Sequence, residues 1–173
     1  MALPIVPVTD AERTGGMLTR DAGMAFYKAL AESGVVILRG LFAPAMIDGL
    51  YREFAARFGN FDGAAMQAMS ERPAPNPIQK NGDGRFEMVM RMSGGFGQPA
   101  LFANPILMNL LKPMLGDDLM RLASMSAVAS FPGAQLQHVH RDGAKLFGEF
   151  PNIEPALPPY AITAAIPLID VDD

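Results

Sequence analysis

Cysteine is absent from the 173 residues, which excludes disulfide bonds, thiolate metal ligands and thiol nucleophiles. Tryptophan is absent as well, and histidine occurs only twice. Charge is sparse: 18% of residues are Asp, Glu, Lys or Arg, 14 of them basic and 18 acidic. A net charge of -4 offers no cation cluster for nucleic-acid phosphates, so a nucleic-acid partner is not expected. No run near about 18 apolar residues is free of Pro, Gly or charge, so no membrane span is expected either. The first ten residues carry Pro4 and Pro7 but no basic stretch, unlike a secretory leader, and a cytoplasmic location is the expectation. The low charge does not mean disorder, because half of the chain is apolar. That is enough for the core of one domain spanning 1–173.

Helix signals dominate up to about residue 118. Thr9 and Glu12 fit a capping box, although Gly15 and Gly16 allow only a short helix. A helix is expected over 21–33, with Phe26, Tyr27 and Leu30 on one face and Gly34 as its C-terminal cap. Residues 35–38 read as a short buried strand. A second helix is expected over 44–58, with Met46, Ile47, Leu50, Phe54 and Phe58 in one stripe. Residues 60–84 look like loop, and 85–92 alternate weakly as a strand. Asn104-Pro105 starts a helix over 106–115, expected to bend or break at Pro113. Three strands are expected further on, at 119–131, 134–140 and 160–169, with an acidic turn at 170–173. Helices followed by strands indicate an α+β fold.

Both histidines lie in one segment, Gln135-Leu136-Gln137-His138-Val139-His140-Arg141-Asp142-Gly143. On a strand, alternate side chains share a face, so His138, His140 and Asp142 would point the same way. Imidazoles and a carboxylate converging on one face suit a divalent first-row metal. A solvated strand end would give the same pattern, so the spacing alone is a weak signal.

Other motifs fail on their context. His140-Arg141-Asp142 spells a protein-kinase triplet, but Phe147 stands where a kinase needs Asn. His138-x-His140 resembles a cupin metal motif, but Ala144 and Lys145 occupy the places of its Glu. Gly95-x-Gly97-x-x-Ala100 imitates a dinucleotide fingerprint, yet Pro99 separates it from the helix that should follow at once. It reads as a mobile loop. Asp170, Asp172 and Asp173 lack the Gly and the terminal Glu of a calcium loop. The thirteen methionines read as core and pocket filler.

The surroundings of the histidines are more informative. Phe131-Pro132-Gly133-Ala134, then Gln137-His138-Val139-His140-Arg141-Asp142, then Leu157-Pro158-Pro159-Tyr160-Ala161-Ile162-Thr163 and Ile166-Pro167-Leu168-Ile169-Asp170 resemble the phytanoyl-CoA dioxygenase-like family. So does the earlier frame, Gly34-Val35-Val36-Ile37-Leu38-Arg39-Gly40-Leu41-Phe42 and Leu111-Lys112-Pro113-Met114-Leu115-Gly116-Asp117-Asp118. The resemblance spans about residues 20–173. It implies N-terminal helices, about 1–118, packed on a double-stranded β-helix (a cupin-like jelly roll) that begins at about 119.

The resemblance also implies a non-haem Fe(II) and 2-oxoglutarate-dependent dioxygenase that hydroxylates a small organic molecule with dioxygen. It places iron ligands at His140 and Asp142. It puts Gln137 and Thr163 near the cosubstrate, and His138 beside the metal or the substrate. Arg141 is expected to point away from the metal. The Asp142 carboxylate favours hydroxylation, since related halogenases carry Ala or Gly there. Residues 60–100 are expected to form a lid or entrance. The family's distal His and its 2-oxoglutarate-binding Arg have no counterpart, because no His follows His140 and no Arg follows Arg141. The jelly roll is therefore expected to be incomplete and the chain a fragment, inactive alone, with the oligomeric state open. Two other readings remain. One is a catalytically inactive oxygenase-like binding module. The other is a metal-dependent lyase or isomerase that uses His138, His140 and Asp142 together.

Overall fold

The computed structural model describes every residue except 1–2, 61, 117–119, 139, 141, 144–145, 151–152, 154–156 and 172–173. The expected orientation of Arg141 therefore lies outside the described residues. The chain forms two compact units, Met1–Asp48 with Pro99–Met120, and Gly49–Gln98 with Arg121–Asp173.

In the first unit, β1 (Ile5–Pro7) runs parallel to β2 (Ile37–Arg39), in the register Ile5↔Ile37, Val6↔Leu38 and Pro7↔Arg39. Pro7 is tolerated because a two-stranded sheet has only edge strands, whose outer N–H needs no partner. The expected buried strand at 35–38 is shifted and short, and Ile37 is 39% exposed. With one neighbouring strand there is no second layer to cover it.

Between these strands lie α1 (Asp10–Gly15) and α2 (Arg20–Ser33). The capping box at α1 forms as expected, with Glu12 N–H donating to Thr9 Oγ1 at 3.2 Å and Thr9 N–H donating to Glu12 Oε2 at 2.9 Å. Helix α2 ends on Gly34 at φ 69°, the left-handed conformation that glycine adopts without a Cβ clash. After the short α5 (Pro99–Phe102), Asn104 caps α6 (Pro105–Leu115) by accepting from Ile106 N–H at 3.0 Å, and Pro105 takes the first turn, where its missing N–H costs nothing. The helix continues through Pro113 rather than breaking, because only two residues follow before it ends and few backbone bonds are at stake. Val6, Val8, Phe26, Leu41, Ile106 and Leu110 form the core of this unit. Each large side chain buried there contributes about 1.5–3 kcal/mol.

Helix α3 (Pro44–Arg57) begins in the first unit and ends in the second, where Leu50, Phe54 and Ala55 are buried. The expected loop at 60–84 instead contains α4 (Gly63–Ser70) and β3 (Ile78–Lys80). Asp62 caps α4, accepting from Ala64 N–H at 2.9 Å, and Met66 on it is fully buried. The Asn76 amide then donates to the carbonyls of Met69, Ser70 and Arg72 and closes the turn between helix and strand. The prolines of this stretch hid both elements from a composition-based reading.

β3, β4 (Arg85–Val89) and β5 (Ser126–Ser130) form an antiparallel sheet in the order β3-β4-β5. One face of β4 buries Phe86 and Met88, opposite Ala129 and Ala127 of β5. The small residues on β5 leave room for the bulky ones on β4. Among the described residues of the expected strand 119–131 only this β5 portion forms. Among the described residues of 134–140 and 160–169 there is no strand at all. Leu136 is 96% exposed, and a segment without a facing strand has no ladder to satisfy its backbone. Pro167 would further break a ladder through the last stretch.

The fold is thus mixed helix and sheet, an α+β arrangement, and the described strands form two small sheets. Four of the five described strands precede residue 118. No described helix is long and apolar enough to cross a membrane.

Candidate functional site

The candidate site grows out of the end of the β4–β5 ladder. Arg85 of β4 faces Ser130 of β5. One residue further, Phe131 N–H donates to the Gly84 carbonyl at 2.9 Å, and Ala134 N–H donates back to the Phe131 carbonyl at 3.0 Å. This closes a turn through Pro132 and Gly133, with Gly133 at φ 86°. The chain leaves the turn as an irregular, exposed segment that carries Gln137, His138 and His140. Asp142 follows at a bend.

His140 and Asp142 are brought together although no strand aligns them. His140 Nε2 lies 3.4 Å from Asp142 Oδ1. His140 Nδ1 lies 2.8 Å from the His138 carbonyl oxygen. A carbonyl can only accept, so that contact assigns the ring proton to Nδ1. In the neutral ring Nε2 then presents a lone pair to the carboxylate. Two acceptors facing each other call for a cation between them, either a second ring proton or a metal ion.

The donor set fits a metal. Two ligand atoms about 2.1 Å from one ion and at right angles stand about 3 Å apart, within a few tenths of an ångström of the distance seen here. The side chains of His140 and Asp142 are 39% and 61% exposed, so an ion pair between them adds little stability, while both remain reachable from solvent. Among the described residues no third His, Asp or Glu completes a metal-binding group.

His138 does not share a ligand position with the pair. Its backbone carbonyl orients His140, and its ring lies 5.4 Å from the His140 ring, tilted by 53°. Gln137 is engaged elsewhere, its Oε1 accepting from Arg85 Nη1 at 2.8 Å. Thr163 returns to the site, lining with Asp142, Leu157, Pro158 and Tyr160 a cleft of about 240 Å3. Its walls are apolar apart from the two hydroxyl-bearing residues, and Asp142 is the charge on its lining.

Within 60–100, the stretch expected to form a lid or entrance, Ser93 and Gly95 are tied to α3. Gly94–Gly97 form a single tight turn in which Phe96 is buried. Gly95 N–H donates to Glu53 Oε2 at 2.7 Å, and Arg57 donates to the Ser93 carbonyl at 3.0 Å. A Cβ on Gly97 would lie 2.8 Å from the Met92 carbonyl, so glycine is needed there for close packing and not for motion. The sequence also gave no hint of Arg85, which reaches the site from 52 residues away.

No protein-family model, curated protein or solved structure matches the chain.

Proposed function

We propose that the chain carries part of the iron site of a phytanoyl-CoA dioxygenase-like protein, an Fe(II) and 2-oxoglutarate-dependent hydroxylase of a small molecule. The observation that carries this reading is the confrontation of His140 Nε2 and Asp142 Oδ1 at 3.4 Å, with Nδ1 already committed to the His138 carbonyl. In this reading β3, β4 and β5 belong to a larger double-stranded β-helix.

His140 and Asp142 would hold the metal through one imidazole nitrogen and one carboxylate oxygen. Bound there, iron would supply the oxidative chemistry in which dioxygen gives one oxygen atom to 2-oxoglutarate, forming succinate and carbon dioxide, and the other to the substrate as a hydroxyl group. The His138 carbonyl keeps the His140 ring in one orientation and one tautomer. Thr163 and Tyr160 stand in the cleft beside Asp142, where Leu157 and Pro158 offer apolar surface to a substrate. His138 contributes its carbonyl to the His140 ring, and the third protein ligand of such a centre stays unassigned.

The test uses the full-length gene product. Anaerobic titration with Fe(II) and 2-oxoglutarate is expected to give the weak visible charge-transfer band of the ternary complex. His140→Ala and Asp142→Ala are each expected to abolish it. A wild-type protein that forms no band and produces no succinate would overturn the reading and leave an oxygenase-like binding module in its place.

A further inference from the structure

We infer that Arg85 is a positioning residue for the His140–Asp142 pair, tying the unpaired segment that carries the pair to the β-sheet. The inference rests on the reading of that pair as metal ligands. Its first support is the anchoring of Arg85 itself. Its carbonyl accepts from Asn81 N–H at 2.9 Å inside the β3–β4 hairpin, and its register partner across the sheet is Ser130. The Asn81 bond on the β3 side and the neighbouring Phe131 N–H to Gly84 carbonyl bond on the β5 side fix where the side chain starts.

The second support is where the side chain ends. Arg85 Nη1 donates to Gln137 Oε1 at 2.8 Å and Nη2 lies 3.4 Å from the Gln135 carbonyl. The planar guanidinium fork spans two acceptors two residues apart, which holds both the path and the rotation of that stretch. No described residue between Ala134 and His140 belongs to a strand, so these bonds do what a ladder would otherwise do.

The third support is an orphan donor. Arg85 Nε is buried without a hydrogen-bond partner among the described residues. A buried unpaired donor is costly and needs a compensating reason. The grip of the two Nη atoms on Gln135 and Gln137 supplies one. Gln137 is joined directly to His138, whose carbonyl fixes the His140 ring. Arg85 thus acts on the ring through a chain of named contacts without touching it.

The experiment uses the full-length protein, with the chain's two imidazoles read by long-range proton–nitrogen spectra in the absence of metal. His138→Ala and His140→Ala assign the two signals. His140 is expected to show the Nδ1–H tautomer in the wild type. Arg85→Ala and Gln137→Ala are each expected to move its ring nitrogens toward the average of the two tautomers. Each is also expected to weaken Fe(II) binding by about 10-fold or more, the usual effect of removing a contact that orients a ligand. The double variant is expected to be no weaker than Arg85→Ala, because both changes break one linkage. Arg85→Lys is expected to restore part of the loss.

If Arg85→Ala lowers the melting temperature but leaves the His140 tautomer and Fe(II) affinity unchanged, Arg85 is merely structural and the inference falls. Should Arg85→Ala fail to fold, an unaltered His140 ring in Gln137→Ala overturns it equally. A wild type that binds no Fe(II) while the Arg85 variants still change the His140 ring would sink the metal reading and leave the positioning role standing.

Discussion

Glu53 reaches Gly95 across 42 positions of sequence, its Oε2 accepting the Gly95 N–H at 2.7 Å. The same carboxylate pairs with Arg57, one helical turn away on α3, and Arg57 lies 5.4 Å over the ring of Phe96. A helix side chain thereby fixes a glycine turn in which Phe96 provides the buried anchor.

Removing that acceptor has a definite cost. Glu53→Ala is expected to lower stability by about 1.5–3 kcal/mol, the range for a hydrogen bond to a charged group. Gly97→Ala is expected to cost about 1–3 kcal/mol through overpacking against the Met92 carbonyl. Urea denaturation of both variants checks this, and a change below about 0.5 kcal/mol would show the turn to be loosely held.

Glu12 makes stability depend on pH. It is buried, and backbone N–H groups of Thr19 and Thr9, with the Thr9 hydroxyl, hold its carboxyl down to about 2 from the ordinary 4.5. Between those values the unfolded chain binds a proton that the folded chain refuses, so stability falls as pH falls. Above about 4.5 the contribution is complete. Glu12→Gln is expected to flatten the stability profile between pH 4.5 and 2, measured by urea unfolding at stepped pH. An unchanged slope would remove Glu12 as its source.

Two helix glycines are expected to be dispensable. Gly23 in α2 and Gly49 in α3 have no atom within 4 Å of a built Cβ. Neither has a positive φ. Gly23→Ala and Gly49→Ala should each stabilise the protein by about 0.4–1 kcal/mol, because alanine loses less backbone freedom on folding. Thermal unfolding followed by circular dichroism reads the gain, and a loss would mean that a partner closes on the helix at that point.

The two histidines are expected to separate cleanly in metal binding. His138 acts through its backbone, so His138→Ala should change Fe(II) affinity by less than about 3-fold, whereas His140→Ala should weaken it by at least about 10-fold. Calorimetric titration of the full-length protein compares them. Equal losses would instead support a site that uses both rings.

Local chemistry made the long helices legible. Thr9 and Glu12, Asn104 and Pro105, and Gly34 each mark a helix boundary by satisfying or releasing backbone groups within a few residues. What depends on distant partners was not legible. β1 exists because β2 pairs with it from 32 residues on, and Pro4 and Pro7 concealed it. The described residues of 134–140 have strand-like alternation but no facing strand, so they stay irregular. A strand-face argument points to His138, His140 and Asp142, and the family resemblance to His140 and Asp142, yet it is a carbonyl contact and a bend that bring the pair together. Arg85 left no trace in the sequence, because its bond to Gln137 is purely tertiary.

The core of the first unit also sets a timetable for synthesis. Val6 and Val8 pack with Ile106 and Leu110, which are made about a hundred residues later. At about 5–20 residues per second, the first strand waits about 5–20 s for the helix that buries it. During that interval Phe26 and Leu41 lack the apolar surface that covers them in the finished unit. A ribosome-bound nascent chain halted before residue 105 would therefore expose an unfinished core, and holding factors that bind apolar segments would find their target there.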